Sequence, residues 1–362
     1  MPETARLDES WTLGTLSVPN RVLLAPLAGI GNWFVRLQAK RYGAGMAVSE
    51  MVSSHAIHHR NEKTCSEMLR IDPREREGGP VSIQLFGEDP AVMREAAAVV
   101  VARGADAIDI NMGCPVPKVR KTGAGAALLD DPDLAVKVAR ATVEGAHDAA
   151  GAGGREVPVT VKLRSGVRAG EQSGFELAHR LVAEAGVAAI GFHPRSAAVH
   201  HKGAPDLALA ARLVQSLPAP VILTGGMDDA EAVREAFAST GAAAVMLARG
   251  ALGNPWLFSE LLDAEADAHT EEHEHMAARE ERGPTREQVL AELDWTIERA
   301  VEHLGEQRAT RYLRKFYPWY VPRLRLEPPL ARSLQEALQT AEELPRTREL
   351  LDLACRPSPA LV

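Results

Sequence analysis

Two side-chain amides, a thiol, an ammonium and an imidazole stand inside or just after short apolar runs of this chain. They are Gln84 in Ser82-Ile83-Gln84-Leu85, Asn111 and Cys114 in Asn111-Met112-Gly113-Cys114-Pro115, Lys162 in Val161-Lys162-Leu163, and His193 after Gly191-Phe192. Such groups facing an apolar interior must find partners. One alone is an ordinary structural feature, whereas several at equivalent places make a site. Cys114 is the residue most able to do chemistry, because a thiol keeps its proton at neutral pH and can donate it. The same cysteine can also be no more than a small apolar side chain at a strand end. Lys162, with Arg164 two residues on, can face negative charge. Two turns, Thr224-Gly225-Gly226 and Ala248-Arg249-Gly250, offer backbone N–H groups of the kind that cradle phosphate, with Arg249 or His193 near the anion. Glycines there can also simply turn the chain. Cys65 and Cys355 have no such company and read as structural.

The elements that would hold these groups follow from the hydropathy pattern. Eight short apolar runs recur: Val22–Ala25, Met46–Ser49, Val81–Leu85, Ala107–Ile110, Val157–Leu163, Ala188–Phe192, Pro220–Leu223 and Ala243–Leu247. Alanine-rich stretches of helical period lie between them, among them Pro90–Arg103, Pro132–Gly145, Phe175–Ala185, Ala204–Ser216 and Asp229–Thr240. Several begin with Asp or Pro and end near Gly, as helix caps do. Runs that are apolar throughout suit parallel strands covered on both faces. Eight strand–helix units over residues 22–260 predict an α/β fold, a (β/α)8 TIM barrel, in which polar residues at the carboxyl ends of the strands form the site. The rival is an open doubly wound sheet, and no Gly-x-Gly-x-x-Gly follows the first strand to support it. Residues 1–21 contain an expected hairpin at Ser10–Asn20 that plugs the barrel bottom. Residues 261–283 read as an acidic linker, and its His269, His273 and His275 lack a recurring ligand spacing, so no metal is expected. Residues 284–362 read as an all-helical domain.

Composition narrows the class. At 362 residues, with 46% apolar and 25% charged residues, the chain is globular rather than disordered. The balance of 41 basic and 49 acidic residues gives a net charge of −8, which argues against binding nucleic acid over the whole surface and leaves room for a local basic patch. Three scattered cysteines make no disulfide framework, no run of 18 apolar residues suggests a membrane span, and the start has no apolar signal segment. A cytoplasmic setting is the expectation, with no membrane and no obligate protein partner evident.

The runs LAPLAGIGN (24–32), SIQLFG (82–87), DINMGCP (109–115), GAGAALL (123–129), VTVKLRSG (159–166), HPRS (193–196) and VMLARGALGNPWLF (245–258) resemble the tRNA-dihydrouridine synthases, particularly the bacterial B-type. LRKFYPWY (313–320) continues the likeness weakly, and DINMGCP with its downstream GAGAALL is its most specific part. The resemblance implies an FMN-bound barrel, a C-terminal helical domain, reduction of a tRNA uridine to dihydrouridine, and recharging of the flavin by NADPH. It implies that Pro26, Leu27 and Ala28 line the flavin, Gln84 bonds its ring, Lys162 sits by its N1–C2 edge and His193 lies near flavin and substrate. Thr224, Gly225, Gly226, Ala248 and Arg249 would hold ribityl and phosphate, Asn111 the target base, and Cys114 would be the proton donor. The family usually has Met at the place of Leu27, Asn-Gly-Asp at Thr224-Gly225-Gly226, Gly at Pro194 and Ala248, and Thr at Ser196. These departures touch ribityl and phosphate details and remove no catalytic group. The reaction itself asks for Cys114: saturating the C5–C6 bond of uracil needs a hydride at C6 and a proton at C5, and the protein must give the proton.

Substrate contacts are expected in basic strips. Residues 308–325 hold Arg308, Arg311, Arg314, Lys315, Arg323 and Arg325 with no acid, and five of the chain's sixteen aromatics, Tyr312, Phe316, Tyr317, Trp319 and Tyr320. Positive charge binds phosphate and rings stack on unpaired bases. The spacing of Arg311, Arg314 and Lys315 predicts one helical face toward RNA, with Phe316 and Trp319 buried. Lys118, Arg120 and Lys121 after Cys114, and Arg195, His200, His201 and Lys202 after the sixth run, are expected on the catalytic face. A D-loop uridine, already partly unstacked, would be presented out of its loop. The rival enzyme is an FMN barrel acting on a free pyrimidine, like dihydroorotate dehydrogenase, which has no use for the basic, aromatic C-terminal segment. The non-enzymatic rival is an RNA-binding scaffold, which has no use for Gln84, Cys114, Lys162 and His193.

Overall fold

The computed structural model describes residues 5–151, 154–267 and 283–355. A two-stranded antiparallel hairpin, β1 (Trp11–Leu13) and β2 (Leu16–Val18), precedes eight parallel strands: β3 (Val22–Leu24), β4 (Met46–Ser53), β5 (Val81–Phe86), β6 (Ala107–Met112), β7 (Val159–Arg164), β8 (Ala189–His193), β9 (Val221–Thr224) and β10 (Ala244–Leu247). These eight close into a barrel in sequence order, β10 pairing with β3. The expected barrel is therefore the fold, and the open sheet is not. Its helices start where side chains supply the missing hydrogen bonds: Asp89, Asp131, Asp206 and Asp229 each accept from backbone N–H groups of the first turn. Pro132–Ala150 runs five residues beyond its expected end. Strand β4 also overruns, to Ser53, through a register shift between Val48 and Met51 that the polar pair Ser49-Glu50 had disguised as a strand end.

One helix, Trp33–Arg41, escaped the sequence reading because it is buried nearly all round, so Arg36 and Lys40 are enclosed together with Trp33, Phe34, Val35 and Leu37 and no one-sided apolar stripe marks it. Arg36, Gln38 and Lys40 are all buried there. Arg36 forms a fully buried two-bond pair with Glu75 (2.7 and 3.0 Å) and donates to the carbonyls of Gly31 and Arg70. Its Gly31 contact fixes the turn that follows β3.

The hairpin closes the amino-terminal end of the barrel, as expected. Trp11, Leu13 and Val18 share one buried cluster with Met46, Ala107, Ala189 and Ala244, the first residues of β4, β6, β8 and β10. The alanines at three of those strand starts leave room for the hairpin, and Trp11 Nε1 donates to the Asn20 carbonyl at 3.0 Å.

The chain divides into two compact units, Met1–Gly250 with Leu257–Ala266, and Ala251–Trp256 with Asp267–Val362. The second unit holds helices Arg286–Leu304, Glu306–Leu313, Tyr317–Tyr320, Pro328–Thr340 and Leu344–Cys355. The segment read as a linker opens with helix, Trp256–Asp267, and the remainder with His269, His273 and His275 lies outside the described residues. Phe316 is buried as expected, but Trp319 is 37% exposed. The one-turn helix Tyr317–Tyr320 directs Tyr317 and Tyr320 inward, three residues apart, and so turns Trp319 out. Among the described residues no helix is long and apolar enough to cross a membrane.

Candidate active site

A cavity of about 260 Å³ opens at the carboxyl ends of the barrel strands. Thirteen residues singled out from the sequence line it: Pro26, Leu27, Ala28, Gln84, Asn111, Cys114, Lys162, His193, Thr224, Gly225, Gly226, Ala248 and Arg249. Arg164 and His201 line it too, together with Met51, Met227 and Asp228, which the sequence reading missed. Met51 was hidden by the overrun of β4. The volume admits a planar heterocycle, since one water molecule takes about 30 Å³.

Cys114 owes its place to three neighbours. Its backbone N–H and that of Gly113 donate to Asn111 Oδ1 at 2.9 and 3.2 Å, a tight turn made by a side chain. Gly125 packs beneath it: a Cβ there would lie 3.2 Å from Cys114 Cβ and 3.0 Å from its carbonyl oxygen, and its φ of +64° favours glycine. This contact ties GAGAALL to DINMGCP. Arg164 donates to the Gly113 carbonyl (2.9 Å) and to those of Ser196 and His200 (3.1 and 2.7 Å), linking the Cys114 loop to the loop after β8.

Asp109, not singled out beforehand, lies under this loop and is 1% exposed. Gln84 Nε2 donates to its Oδ2 at 2.6 Å and Thr160 Oγ1 donates to its Oδ1. Strand alternation could have found it, because Ala107, Asp109 and Asn111 occupy one face of β6. Burial pushes the Asp109 carboxyl up to about 6, while the hydrogen bonds from Gln84 and Thr160 and the charge of Lys162 favour its ionised form. Burial pulls Lys162 down to about 8, and Arg164 adds to that, against the attraction of Asp109. Each group's charge favours the charged form of the other. Gly191 makes room for the lysine stem, since a Cβ there would sit 3.2 Å from Lys162 Cγ.

His193 is held neutral. Burial comes first among the causes, followed by the cations Lys162, Arg164 and Arg195. Its ring stacks on that of His201, centroids 5.9 Å apart. Gly225 cannot be anything larger: its φ is +100°, and a Cβ would meet His193 Nε2 at 2.4 Å. Gly226 follows at φ +78°. Gly250 is equally constrained, with a Cβ 2.3 Å from the Met227 carbonyl. The two glycine turns thus bring backbone close to the cavity, with the exposed Arg249 beside them.

The remaining expected contacts separate. Lys118, Arg120 and Lys121 are exposed on and just after the one-turn helix Pro117–Arg120. Arg195 is not a surface cation: it is 8% exposed, and its guanidinium donates to the Gly203 carbonyl at 3.1 and 2.6 Å, closing the loop after β8. In the second unit Arg311 and Lys315 are exposed, but Arg314 is half-buried and donates to the Ala341 carbonyl at 2.9 Å. The helix ends at Leu313, so the three residues do not form one continuous helical face. Lys315 Nζ lies 4.6 Å from the centre of the Tyr312 ring. Among the described residues no cluster of three metal-binding side chains occurs.

The Dihydrouridine synthase family model matches residues 23–355. The chain is 36% identical over 343 residues to the probable tRNA-dihydrouridine synthase 1 of Synechocystis sp., covering 94% of this chain and 88% of that one. It is 33% identical to tRNA-dihydrouridine synthase B of Vibrio vulnificus (85% and 88% covered) and 34% identical to that of Pseudomonas aeruginosa (86% and 87%). Morphinone reductase shares the barrel at a TM-score of 0.52 and 17% identity, over 72% of this chain and 91% of that chain. The old yellow enzyme homologue of Zymomonas mobilis does so at 0.52 and 14%, over 72% and 93%. The chain belongs to the dihydrouridine synthase family of oxidoreductases.

Proposed function

We propose that the chain is an FMN-dependent, NADPH-driven tRNA-dihydrouridine synthase that reduces the C5–C6 bond of a D-loop uridine. The observation that carries this reading is that Cys114, on a loop pinned from three sides, lines the same cavity as Lys162 and the paired glycine turns.

The residues present fit a flavin mononucleotide. The Lys162 side chain lines the cavity with no hydrogen bond to the protein among the described residues, as does that of Arg249, and Gly225 and Gly226 bring bare backbone to the cavity wall, where a Cβ on Gly225 would run into His193. Bound there, the flavin would supply the hydride that uracil C6 must receive. Lys162 offers a cation to the N1–C2 edge of the ring, and Gln84, Pro26, Leu27 and Ala28 border it. Thr224, Gly225, Gly226, Ala248 and Arg249 serve the ribityl chain and phosphate. Neutral His193 accepts at Nε2 from the Arg195 guanidinium at 3.4 Å, which leaves an N–H at Nδ1 and no charge. Cys114 holds the proton destined for C5. Asn111 acts on the substrate through Cys114, because its carbonyl is engaged by the Gly113 and Cys114 N–H groups. Lys118, Arg120 and Lys121 on the first unit, and Arg311 and Lys315 on the second, meet tRNA phosphates. In domain terms, residues 22–260 are catalytic and 284–362 bind tRNA, in the cytoplasm.

The test is dihydrouridine mapping by mass spectrometry in unmodified tRNA incubated with the protein, FMN and NADPH. Dihydrouridine at a D-loop position is expected, together with release of FMN on denaturation. A colourless protein that takes up no FMN, or turnover of free pyrimidines in place of tRNA, would overturn the reading.

A further inference from the structure

Four side chains on three neighbouring strands form one directed line of hydrogen bonds beneath Cys114. Gln84, Asp109 and Thr160 are register partners across β5, β6 and β7, and Asn111 lies two residues beyond Asp109 on the same face of β6. Asp109 accepts from Thr160 Oγ1 and from Gln84 Nε2 at 2.6 Å. Gln84 Oε1 accepts from Asn111 Nδ2 at 2.9 Å, and Asn111 Oδ1 accepts from the N–H groups of Gly113 and Cys114 at 3.2 and 2.9 Å.

Each amide can face either way, but the two ends of the line cannot. An ionised carboxylate only accepts, and a backbone N–H only donates. With an acceptor at one end and donors at the other, one orientation of both amides satisfies every bond. Turning Gln84 over would set its oxygen against the Asp109 carboxylate and its NH2 against the NH2 of Asn111. Turning Asn111 over as well would set its NH2 against the Cys114 N–H. Gln84, Asp109 and Thr160 are each at most 3% exposed, so water cannot repair such a mismatch cheaply.

We propose that Asp109 is a positioning residue for Cys114: its buried carboxylate sets the direction of the Gln84–Asn111 line and thereby the place of the thiol-bearing loop. That the loop serves proton donation rests on the function proposed above, whereas the direction of the line does not.

The test uses Cys114 alkylation by iodoacetamide, followed by peptide mass spectrometry, in flavin-free full-length protein. D109N keeps the shape and loses the fixed polarity, because an amide can face either way. D109N/Q84E moves the carboxylate one link along, from β6 to β5. The new amide on β6 and the amide of Asn111 can then both donate to that carboxylate, and the direction at Asn111 returns at unchanged net charge. In D109N the Cys114 loop should open, and the freed N–H groups can turn toward the sulfur. Alkylation should quicken about 2- to 10-fold, the range of one lost hydrogen bond. D109N/Q84E should return it to within about twofold of wild type. Equal rates in wild type and D109N, or a double variant no slower than D109N, would overturn the proposal. In loaded enzyme D109N should slow oxidation of the reduced flavin by tRNA while leaving its reduction by NADPH unchanged. Loss of both half-reactions together would mean a structural role only. Because alkylation needs neither tRNA nor flavin, failure of the proposed reaction leaves this test intact.

Discussion

The two ends of the same barrel are built from opposite materials. At the amino end, Trp11, Leu13 and Val18 of the hairpin meet Met46, Ala107, Ala189 and Ala244 with no titratable group among them. Two strand positions further along the same inward faces, Ala107 gives way to Asp109 and Asn111, and Ala189 to Gly191 and His193. The change takes about 7 Å per two residues of strand. Stability and chemistry are thus held at opposite ends of shared strands. The apolar end contributes burial, whereas at the polar end the attraction between Asp109 and Lys162 offsets part of the cost of burying their charges, and the surrounding cations keep His193 neutral.

The separation can be tested from both ends. Trp11→Ala should destabilise the first unit by about 3–5 kcal/mol, the usual cost of removing a buried large aromatic. Denaturant titration would show this, and the folded variant should bind flavin as wild type does; a lost flavin site would mean the plug and the site are coupled. Gly225→Ala should act in reverse. Left-handed strain and the clash with His193 together disfavour the site by about 1–3 kcal/mol. Flavin affinity, read by fluorescence quenching, should fall correspondingly, and unaltered affinity would remove Gly225 from the cradle.

His193 gives the pH dependence its sign. Burial holds its folded-state pKa below the unfolded value, so an unfolded chain binds a proton that the folded one refuses. Its stabilising contribution is present above about pH 6.5 and is lost as the pH falls below that, at about 1.4 kcal/mol per pH unit. His193→Gln should flatten that slope relative to wild type in denaturant titrations between about pH 6.5 and 5. Identical slopes would mean that His193 takes up its proton as readily in the folded chain as in the unfolded one. The smallest effect belongs to the second unit. Removing Arg311 and Lys315 together should flatten the log–log salt dependence of tRNA binding by about 0.7–0.9 per lost phosphate contact. Arg314→Ala should instead loosen the helical unit through its lost bond to Ala341.

Much of the barrel was legible because most strand residues are apolar on both faces and several helices begin at an Asp or Pro that marks them. The cavity lining was legible for the same reason: a polar side chain at the end of an apolar run has few other places to point. What stayed hidden has physical causes. Asp109 sits inside a strand rather than at its end, where only the alternation with Asn111 betrays it. In the helix Trp33–Arg41 the burial of Arg36 was hidden because its partner, Glu75, lies thirty-nine residues away. Arg195 and Arg314 carry the same charge as Arg249 and Arg311, and only the folded loops show that the first pair is engaged by backbone carbonyls. Trp319 was misplaced because a helix of one turn follows no long-range period.

The most direct measurement concerns Cys114. Flavin in the Cys114→Ala variant, reduced by NADPH under anaerobic conditions and then mixed with unmodified tRNA, should be reduced at the wild-type rate. Its reoxidation by tRNA should be slower by about 10²–10⁴, the usual contribution of a general acid. Reoxidation at the wild-type rate, with dihydrouridine formed in the tRNA, would contradict the assignment of Cys114 as the proton donor.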